Sequence, residues 1–338
     1  MHSEIPLLSA REIISVAHLI TESYGADVIE DIISRHGFSR RILTDPDMQV
    51  PNAEYVRFLE ACARHTAQPL FGAMLGENLS FSDLGTFGNY VTSASTIAIA
   101  LDRLSRTIKY HETGSKVALV RRGSVTKVSY LPPTPRAVGS WHQSEGALAM
   151  LIKLIRAYEG ADWNPDQIRL HSAVGERKKK LQAFFGVPVE SRKIGFEVSC
   201  TFTPLREARR HDRRTEPELT CRDLREMVKS KPPEPFDMVF KLLLRQWIKD
   251  DVFELDRVSE LTGIGARTIQ RRLKGAGKSF ADVLRDVKLE LANELLAKTD
   301  LGLSDIAKRL GYSSTPQFVR AFKDWTGATP GSVRSLSS

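Results

Sequence analysis

The chain has 338 residues, 41% of them apolar and 27% charged, with a net charge of +8. That length exceeds what one hydrophobic core usually serves, so two domains are expected, and no apolar run approaches the roughly 18 residues that a membrane helix needs. Three widely spaced cysteines, Cys62, Cys200 and Cys221, form neither a disulfide framework nor a zinc cluster and suit a reducing cytosol, while the opening "MHSEIPLLSARE" has no features of a signal peptide.

In chain order, helical spacing first appears in "AREIISVAHLITESYG" and returns in "NAEYVRFLEACARHT", where Tyr55, Phe58, Leu59 and Cys62 recur at helical intervals. "STIAIALDRLSRTIKYH" predicts a further helix with Ile97, Leu101, Leu104 and Ile108 on one face. "KVALVRRGSVTKVSYLPP" reads as a hairpin turning at Gly123 and Ser124 and closed by Pro132 and Pro133. A helix over "GALAMLIKLIRAYEG" and strands at "QIRLHS" and "KIGFEVSCTF" follow, with one more candidate helix at "PELTCRDLREMVKS". The mixture predicts an α+β domain over residues 1–228. "KSKPPEPFD" then places three prolines in four residues, which no helix tolerates, so residues 229–236 are expected to be a proline-rich linker.

Residues 237–338 read as short helices and carry 17 Lys and Arg against 13 Asp and Glu, half of the net charge in under a third of the chain. This part contains a repeat. "LDRVSELTGIGARTIQRRL" from Leu255 aligns with "LSDIAKRLGYSSTPQFVRAF" from Leu303, matching Val258 to Ile306, Ser259 to Ala307 and Gly263 to Gly311. One extra residue then brings Ile269 onto Phe318, Arg271 onto Arg320 and Leu273 onto Phe322. Each copy has the pattern of a helix-turn-helix: a small residue where two helices cross, then a glycine that ends the first helix. From Ala266 to Ala281 there are five basic residues and no acidic one; from Ile306 to Lys323 there are four and none. A carboxylate in either stretch would be pressed toward phosphates, whereas Arg and Gln can each make paired hydrogen bonds to a purine edge. Between the copies, Ser279 and Asp282 make a capping-box pattern, and Phe280, Val283, Leu284, Val287, Leu291 and Leu295 predict one apolar face of a linking helix. About 19 residues of helix span about 28 Å, close to the roughly 34 Å between successive major-groove windows.

These motifs resemble the AraC/XylS family of bacterial transcription regulators over about residues 236–334, including the closing "FKDWTGATPGSVR" with Phe322, Gly327, Pro330 and Arg334 at the family spacing. Thr262 stands where the family more often has an apolar residue. Residues 1 to about 225 resemble the arabinose-operon-regulator type of N-terminal domain through "LFGAMLGENLSFSDLGTFGNYVTSASTIAIAL" and "LQAFFGVPVESRKIGFEVSCTFTPL". The resemblance implies an α+β N-terminal sensor domain followed by an all-α domain of two helix-turn-helix motifs joined by a linking helix. It implies a cytoplasmic homodimer that binds double-stranded promoter DNA, acts with RNA polymerase and answers to a small-molecule effector, with no cofactor, metal or catalysis; the alternatives are an effector-independent dimeric DNA-binding regulator and an enzyme domain fused to the DNA reader. Candidate DNA contacts are Arg267, Thr268, Gln270, Arg271 and Lys274 in copy one and Ser314, Thr315, Gln317, Arg320 and Lys323 in copy two. Arg272 can touch phosphate or stay solvated.

Other features admit two readings each. Trp141, Arg156 and Tyr158, with Trp163, could hold a carboxylate-bearing effector or be core and rim residues. "GERKKKLQ" could be a second nucleic-acid patch or a solvated helix face. "GSWHQSEG" offers Ser140, His142 and Glu145, but sequence proximity does not build a triad. His111, His142 and His171 lack metal-ligand spacing and read as structural or surface residues. "DLGTFGNY" has no phosphate-loop lysine and reads as a pocket-side segment or a helix-packing turn.

Overall fold

The computed structural model describes residues 5–201 and 235–337, which fall into two compact units, one ending at residue 201 and the other starting at residue 235. The candidate helix "PELTCRDLREMVKS" and all but the last two positions of the expected linker lie outside the described residues.

The first unit is α+β. A short antiparallel pair, β1 (Leu7–Ser9) and β2 (Gln49–Pro51), brackets α1 (Arg11–Tyr24) and α2 (Ala26–His36), and α3 (Asn52–Thr66) follows directly. Next come α4 (Phe71–Asn78), α5 (Gly85–Thr92) and α6 (Ile97–His111). The hairpin forms as expected, with β3 (Lys116–Arg122) antiparallel to β4 (Val125–Leu131) and Arg122 opposite Val125 across Gly123 and Ser124. The chain continues through α7 (Ser140–Glu159), β5 (Gln167–Leu170), α8 (Gly175–Phe185), β6 (Val189–Ser191) and β7 (Phe196–Thr201). The five strands lie in the order β3-β4-β7-β5-β6, antiparallel except for β5 with β6. Alternation along the strands buries Val128, Tyr130, Ile168, Leu170, Phe196 and Val198 in the same core as the apolar side of α7.

Helix α7 begins at Ser140, six residues before the apolar run suggests, because its first turns are polar yet buried. It packs on α4 through glycine. A Cβ at Gly76 would lie 2.2 Å from the Gly146 carbonyl oxygen, and one at Gly72 would lie 2.3 Å from that of His142. The "DLGTFGNY" segment is a packing turn of the same kind, since a Cβ at Gly88 would lie 1.6 Å from the Phe81 carbonyl oxygen.

The second unit is all-helical among the described residues: α9 (Phe236–Trp247), α10 (Leu255–Thr262), α11 (Ala266–Gly275), α12 (Phe280–Lys298), α13 (Leu303–Arg309), α14 (Thr315–Thr326) and α15 (Pro330–Ser337). Helix α12 is the linking helix. Its capping box is complete, with Ser279 N donating to Asp282 Oδ2 at 2.9 Å and Asp282 N donating to Ser279 Oγ at 3.1 Å. The buried line differs from the expected one: Val283, Val287, Leu291, Ala292 and Leu296 are buried, while Phe280, Leu284 and Leu295 are half-buried. Each residue turns the helix by 100°, so over 19 residues the line facing the core moves from one repeat position to the next and selects Leu296 rather than Leu295. No helix among the described residues is long and apolar enough to cross a membrane.

Candidate functional site

Both repeat copies fold as helix-turn-helix pairs, α10 with α11 and α13 with α14. Gly263 (φ 68°) and Gly311 (φ 71°) take the left-handed conformation that ends each first helix. In copy one, Val258, Leu261, Ile269 and Leu273 are buried; in copy two, Ile306, Ala307, Phe318 and Phe322 are. Thr262 is also buried, and its hydroxyl is satisfied by donating to the Val258 carbonyl at 2.8 Å. The polar residue at an apolar position therefore costs the motif little.

The two motifs are joined by a side-chain clamp. Lys288 of α12 places its ammonium 4.7 Å from the ring centre of Phe253, just before the first motif, and 4.5 Å from that of Tyr312, in the turn of the second. Burial pulls the Lys288 pKa down and pushes the Tyr312 hydroxyl up to about 12. Gly311 completes the clamp, because a Cβ there would lie 2.3 Å from Phe253 Cζ.

On the second helices, Arg267, Gln270, Arg271 and Lys274 are exposed, as are Ser314, Gln317, Arg320 and Lys323; Thr268 and Thr315 are half-buried. Gln317 Oε1 accepts a hydrogen bond from Ser313 Oγ at 2.6 Å. Several cations elsewhere in this unit are neutralised: Arg245 by Glu294 at 2.6 Å, Arg257 by Glu260 at 2.7 Å, Lys278 by Asp237 at 3.3 Å and Arg285 by Asp282 at 3.2 Å. Among the described residues, none of Arg267, Arg271, Lys274, Arg320 and Lys323 forms an ion pair. Arg272 differs from its neighbour. Its guanidinium lies 5.0 Å from the Phe236 ring centre, and burial followed by the adjacent Arg271 lowers its pKa.

The first unit holds a cavity of about 110 Å³. Its walls are mostly apolar, with Leu75, Phe81, Phe87, Ile108 and Met150 among them, and its polar residues are Glu12, Tyr55, His111, Glu112, Gln143 and a few neighbours. Glu112 is 4% exposed and takes four donors: Asn52 Nδ2 at 2.8 Å, Tyr130 OH at 3.0 Å, Ser115 Oγ and Gln143 Nε2. Burial, reinforced by the Glu12 charge, still lifts its carboxyl to about 7 against the pull of those hydrogen bonds and of His111. His111 Nε2 lies 2.8 Å from Glu12 Oε1, and its ring stacks on Phe87 at 4.5 Å. Burial pulls the imidazole down, but the Glu12 and Glu112 carboxylates outweigh it and leave its pKa raised.

Trp141, Arg156 and Tyr158 do not line this cavity. Tyr158 is buried with its hydroxyl donating to the Ala94 carbonyl at 2.9 Å. Arg156 donates to the Trp163 carbonyl at 2.9 Å and to Asn164 Oδ1 at 2.8 Å, and Trp141 Nε1 donates to His142 Nε2 at 3.1 Å. His111 and His142 do line it, whereas His171 does not. Glu12, Glu112 and Gln143 went unread in the sequence, since lone polar residues in amphipathic helices look solvated. The periodicity gave one usable sign: His111 and Glu112 end a helix whose apolar face is buried. The "DLGTFGNY" segment serves the cavity too, through Leu84 and Phe87.

Ser140, His142 and Glu145 form no triad. Ser140 Oγ donates to the Pro135 carbonyl, His142 lies 3.3 Å from Glu60, and Glu145 is held by Arg177 at 2.8 Å. Burial, followed by Arg177, drops the His142 pKa to about 4. The run "GERKKKLQ" is split by this contact, with Arg177 turned inward onto Glu145 and Lys179 and Lys180 left exposed.

The family model for the arabinose-binding domain of AraC transcription regulators matches residues 27–193, and a helix-turn-helix domain model matches residues 258–335. The chain belongs to the AraC family of transcription regulators. The ornithine utilization regulator of Pseudomonas aeruginosa is 22% identical over 338 residues, covering 94% of this chain and 97% of the relative. The regulator VirS of Mycobacterium tuberculosis is 24% identical over 292 residues, 84% of each chain. RipA of Corynebacterium glutamicum is 38% identical over 81 residues, 24% of each chain. Among solved structures, the regulator CdpR of Pseudomonas aeruginosa covers 91% of this chain and 97% of its own, at 20% identity and a TM-score of 0.40. This AraC-family member is a DNA-binding transcription regulator.

Proposed function

We propose that this regulator reads promoter DNA with α11 and α14 and is controlled by a small molecule held in the cavity of its N-terminal unit. In this reading residues 1–228 bind the effector and dimerise, residues 229–236 link, and residues 237–338 bind DNA. Arg267, Thr268, Gln270, Arg271, Ser314, Thr315, Gln317 and Arg320 meet bases or nearby phosphates, and Lys274 and Lys323 anchor phosphates. The protein works in the cytoplasm as a homodimer alongside RNA polymerase, as the family resemblance implies.

One observation carries the DNA assignment. Both second helices expose cations, Arg267, Arg271 and Lys274 on one and Arg320 and Lys323 on the other, that have no acidic partner among the described residues and lie in stretches without an acidic residue. Supporting the effector assignment are the cavity and the name of the ornithine utilization regulator, which ties that relative to a small metabolite. A ligand that favours one arrangement of the chain shifts its population, and its differential affinity limits the shift. The test is selection of binding sites by the full chain from a random duplex library, with and without metabolite mixtures. Two short enriched blocks about one helical turn apart are expected, as two reading heads on one face of a duplex require. A pool without enrichment overturns the assignment of α11 and α14 as readers. Enrichment that no metabolite alters, with no metabolite raising the melting temperature, overturns effector control.

A further inference from the structure

We propose that the cavity takes a small primary amine, its protonated head held at Glu12 and Gln143 and its short hydrocarbon or aromatic body against Leu75, Phe81, Phe87 and Met150. This inference rests on the effector reading and names the chemistry of its ligand.

The first argument is the charge of the lining. Two carboxylates, Glu12 and Glu112, and no Lys or Arg are among the described residues that line the cavity. His111 offsets one carboxylate through its 2.8 Å pair with Glu12. The titratable groups around that end are Glu12 of α1, Tyr55 of α3, His111 and Glu112 at the end of α6, Tyr130 of β4 and His142 of α7. With His111 balancing Glu12, the Glu112 carboxyl, which ionises at about 7, sets the remaining charge, and an anionic head would have to hold it protonated. A cation is attracted by the same groups.

The second argument is an acceptor left over. Gln143 is 8% exposed and lines the cavity. Its amide is placed with Nε2 donating to Glu112 Oε1, the oxygen that also takes Asn52 Nδ2. Gln143 Oε1 therefore remains an acceptor, and it has no hydrogen-bond partner among the described residues. Buried acceptors are normally satisfied. Glu112 already takes four donors, so a ligand's N–H meets Gln143 Oε1 and Glu12, with the Glu112 charge behind them. An alcohol supplies one donor but leaves the charge unmatched; an ammonium supplies three and matches it.

Size sets the body. A cavity of about 110 Å³ is somewhat smaller than an engineered apolar cavity of about 150 Å³ that binds benzene. A ligand of roughly six heavy atoms, such as n-pentylamine, has that scale. Because the Glu112 carboxyl sits at about 7, a cation bound nearby pulls it down and releases a proton at neutral pH.

The experiment titrates the full chain calorimetrically at pH 7 with n-pentylamine, 1-pentanol and sodium pentanoate, in phosphate and again in HEPES. The amine is expected to bind at least tenfold tighter than the alcohol, and the alcohol tighter than the acid. Amine binding should release up to one proton, and Glu112→Gln should abolish that release. Two cavity-filling variants, Ala147→Leu and Met150→Trp, should weaken the amine at least tenfold while circular dichroism confirms their fold. Pentanoate binding as well as the amine, equal binding of all three, or no binding by any overturns the amine head. Amine binding that both filling variants leave intact overturns the cavity as its site. Amine binding in the cavity that leaves promoter affinity unchanged supports the ligand class and overturns the effector reading, so the two failures are distinguishable.

Discussion

Replacing Glu112 with Gln removes one buried carboxyl from the titration of this protein. The carboxyl is raised from 4.5 to about 7 by burial and by Glu12. A carboxyl raised in the folded state binds its proton more tightly there than in the unfolded chain. Its contribution is therefore fully present below pH 4.5 and is lost as pH rises through 7. At about 1.36 kcal/mol per unit, the loss is at most about 3 kcal/mol. Glutamine keeps the hydrogen-bond set, because its carbonyl oxygen can accept from Asn52 and Gln143. Its NH2 can donate to Ser115 Oγ and Tyr130 OH, hydroxyls able to turn from donors to acceptors. His142, lowered to about 4 chiefly by burial, titrates in the opposite sense but in both proteins, and so cancels, whereas His111, raised partly by Glu112, loses that part in the variant and adds to the difference with the same sign. The measurement is urea unfolding of the full wild-type and Glu112→Gln chains at half-unit steps from pH 4.5 to 8. The second unit is identical in the two, so their difference reports on the first. Wild-type stability should fall relative to the variant by up to about 3 kcal/mol across that range, or roughly 6–12 °C in melting temperature. A difference that stays flat, or that favours the wild type as pH rises, refutes the buried, proton-holding carboxyl.

In the second unit, Gly311→Ala should destabilise by about 1–3 kcal/mol, because it combines a left-handed backbone with a Cβ 2.3 Å from the Phe253 ring; the urea midpoint checks it. Leu291→Asp should cost more than about 3 kcal/mol, and Leu284→Asp markedly less, since Leu291 is buried and Leu284 only half-buried. Thermal melts should rank the two in that order. If all five unpaired cations on α11 and α14 meet phosphates, the salt slope approaches about −4.5, and affinity falls up to roughly 500-fold between 50 and 200 mM salt; fluorescence anisotropy at both salts measures it.

The DNA-reading half was more legible in sequence than the cavity. Its signal is local: within each copy the glycine (Gly263 or Gly311), the apolar position (Ile269 or Phe318) and the acid-free stretch fall in one short run of sequence. The hairpin at Gly123 and Ser124 was legible for the same reason. The cavity is assembled from α1, α3, α6 and α7, so Glu12, Tyr55, Glu112 and Gln143 meet only through tertiary packing. Polar residues such as Gln143 and Glu145 look like a loop in a one-dimensional pattern, because burial with a partner leaves no periodic mark. Arg177 shows the same limit: in "GERKKKLQ" it cannot be told from its lysines, yet it alone turns onto Glu145. The aromatic set of Trp141, Arg156 and Tyr158 shares one helix, but its members serve separate local contacts. The linking helix was legible in length and cap, while Phe280, Leu284 and Leu295 of its expected face are only half-buried and Leu296 takes the last buried position.

The most direct measurement of the central claim is a binding titration of Arg271→Ala, Arg320→Ala and Lys274→Ala against the selected site and a panel of its single-base substitutions. Arg271 and Arg320 follow the buried Ile269 and Phe318 by two residues each and have no acidic partner among the described residues. Each of those two variants should lose about 1–3 kcal/mol at the selected site and relax its preference at one base pair, while Lys274→Ala weakens all duplexes alike. If Arg271→Ala and Arg320→Ala lower every affinity equally, both are phosphate anchors, and the assignment of these residues as readers of sequence is contradicted.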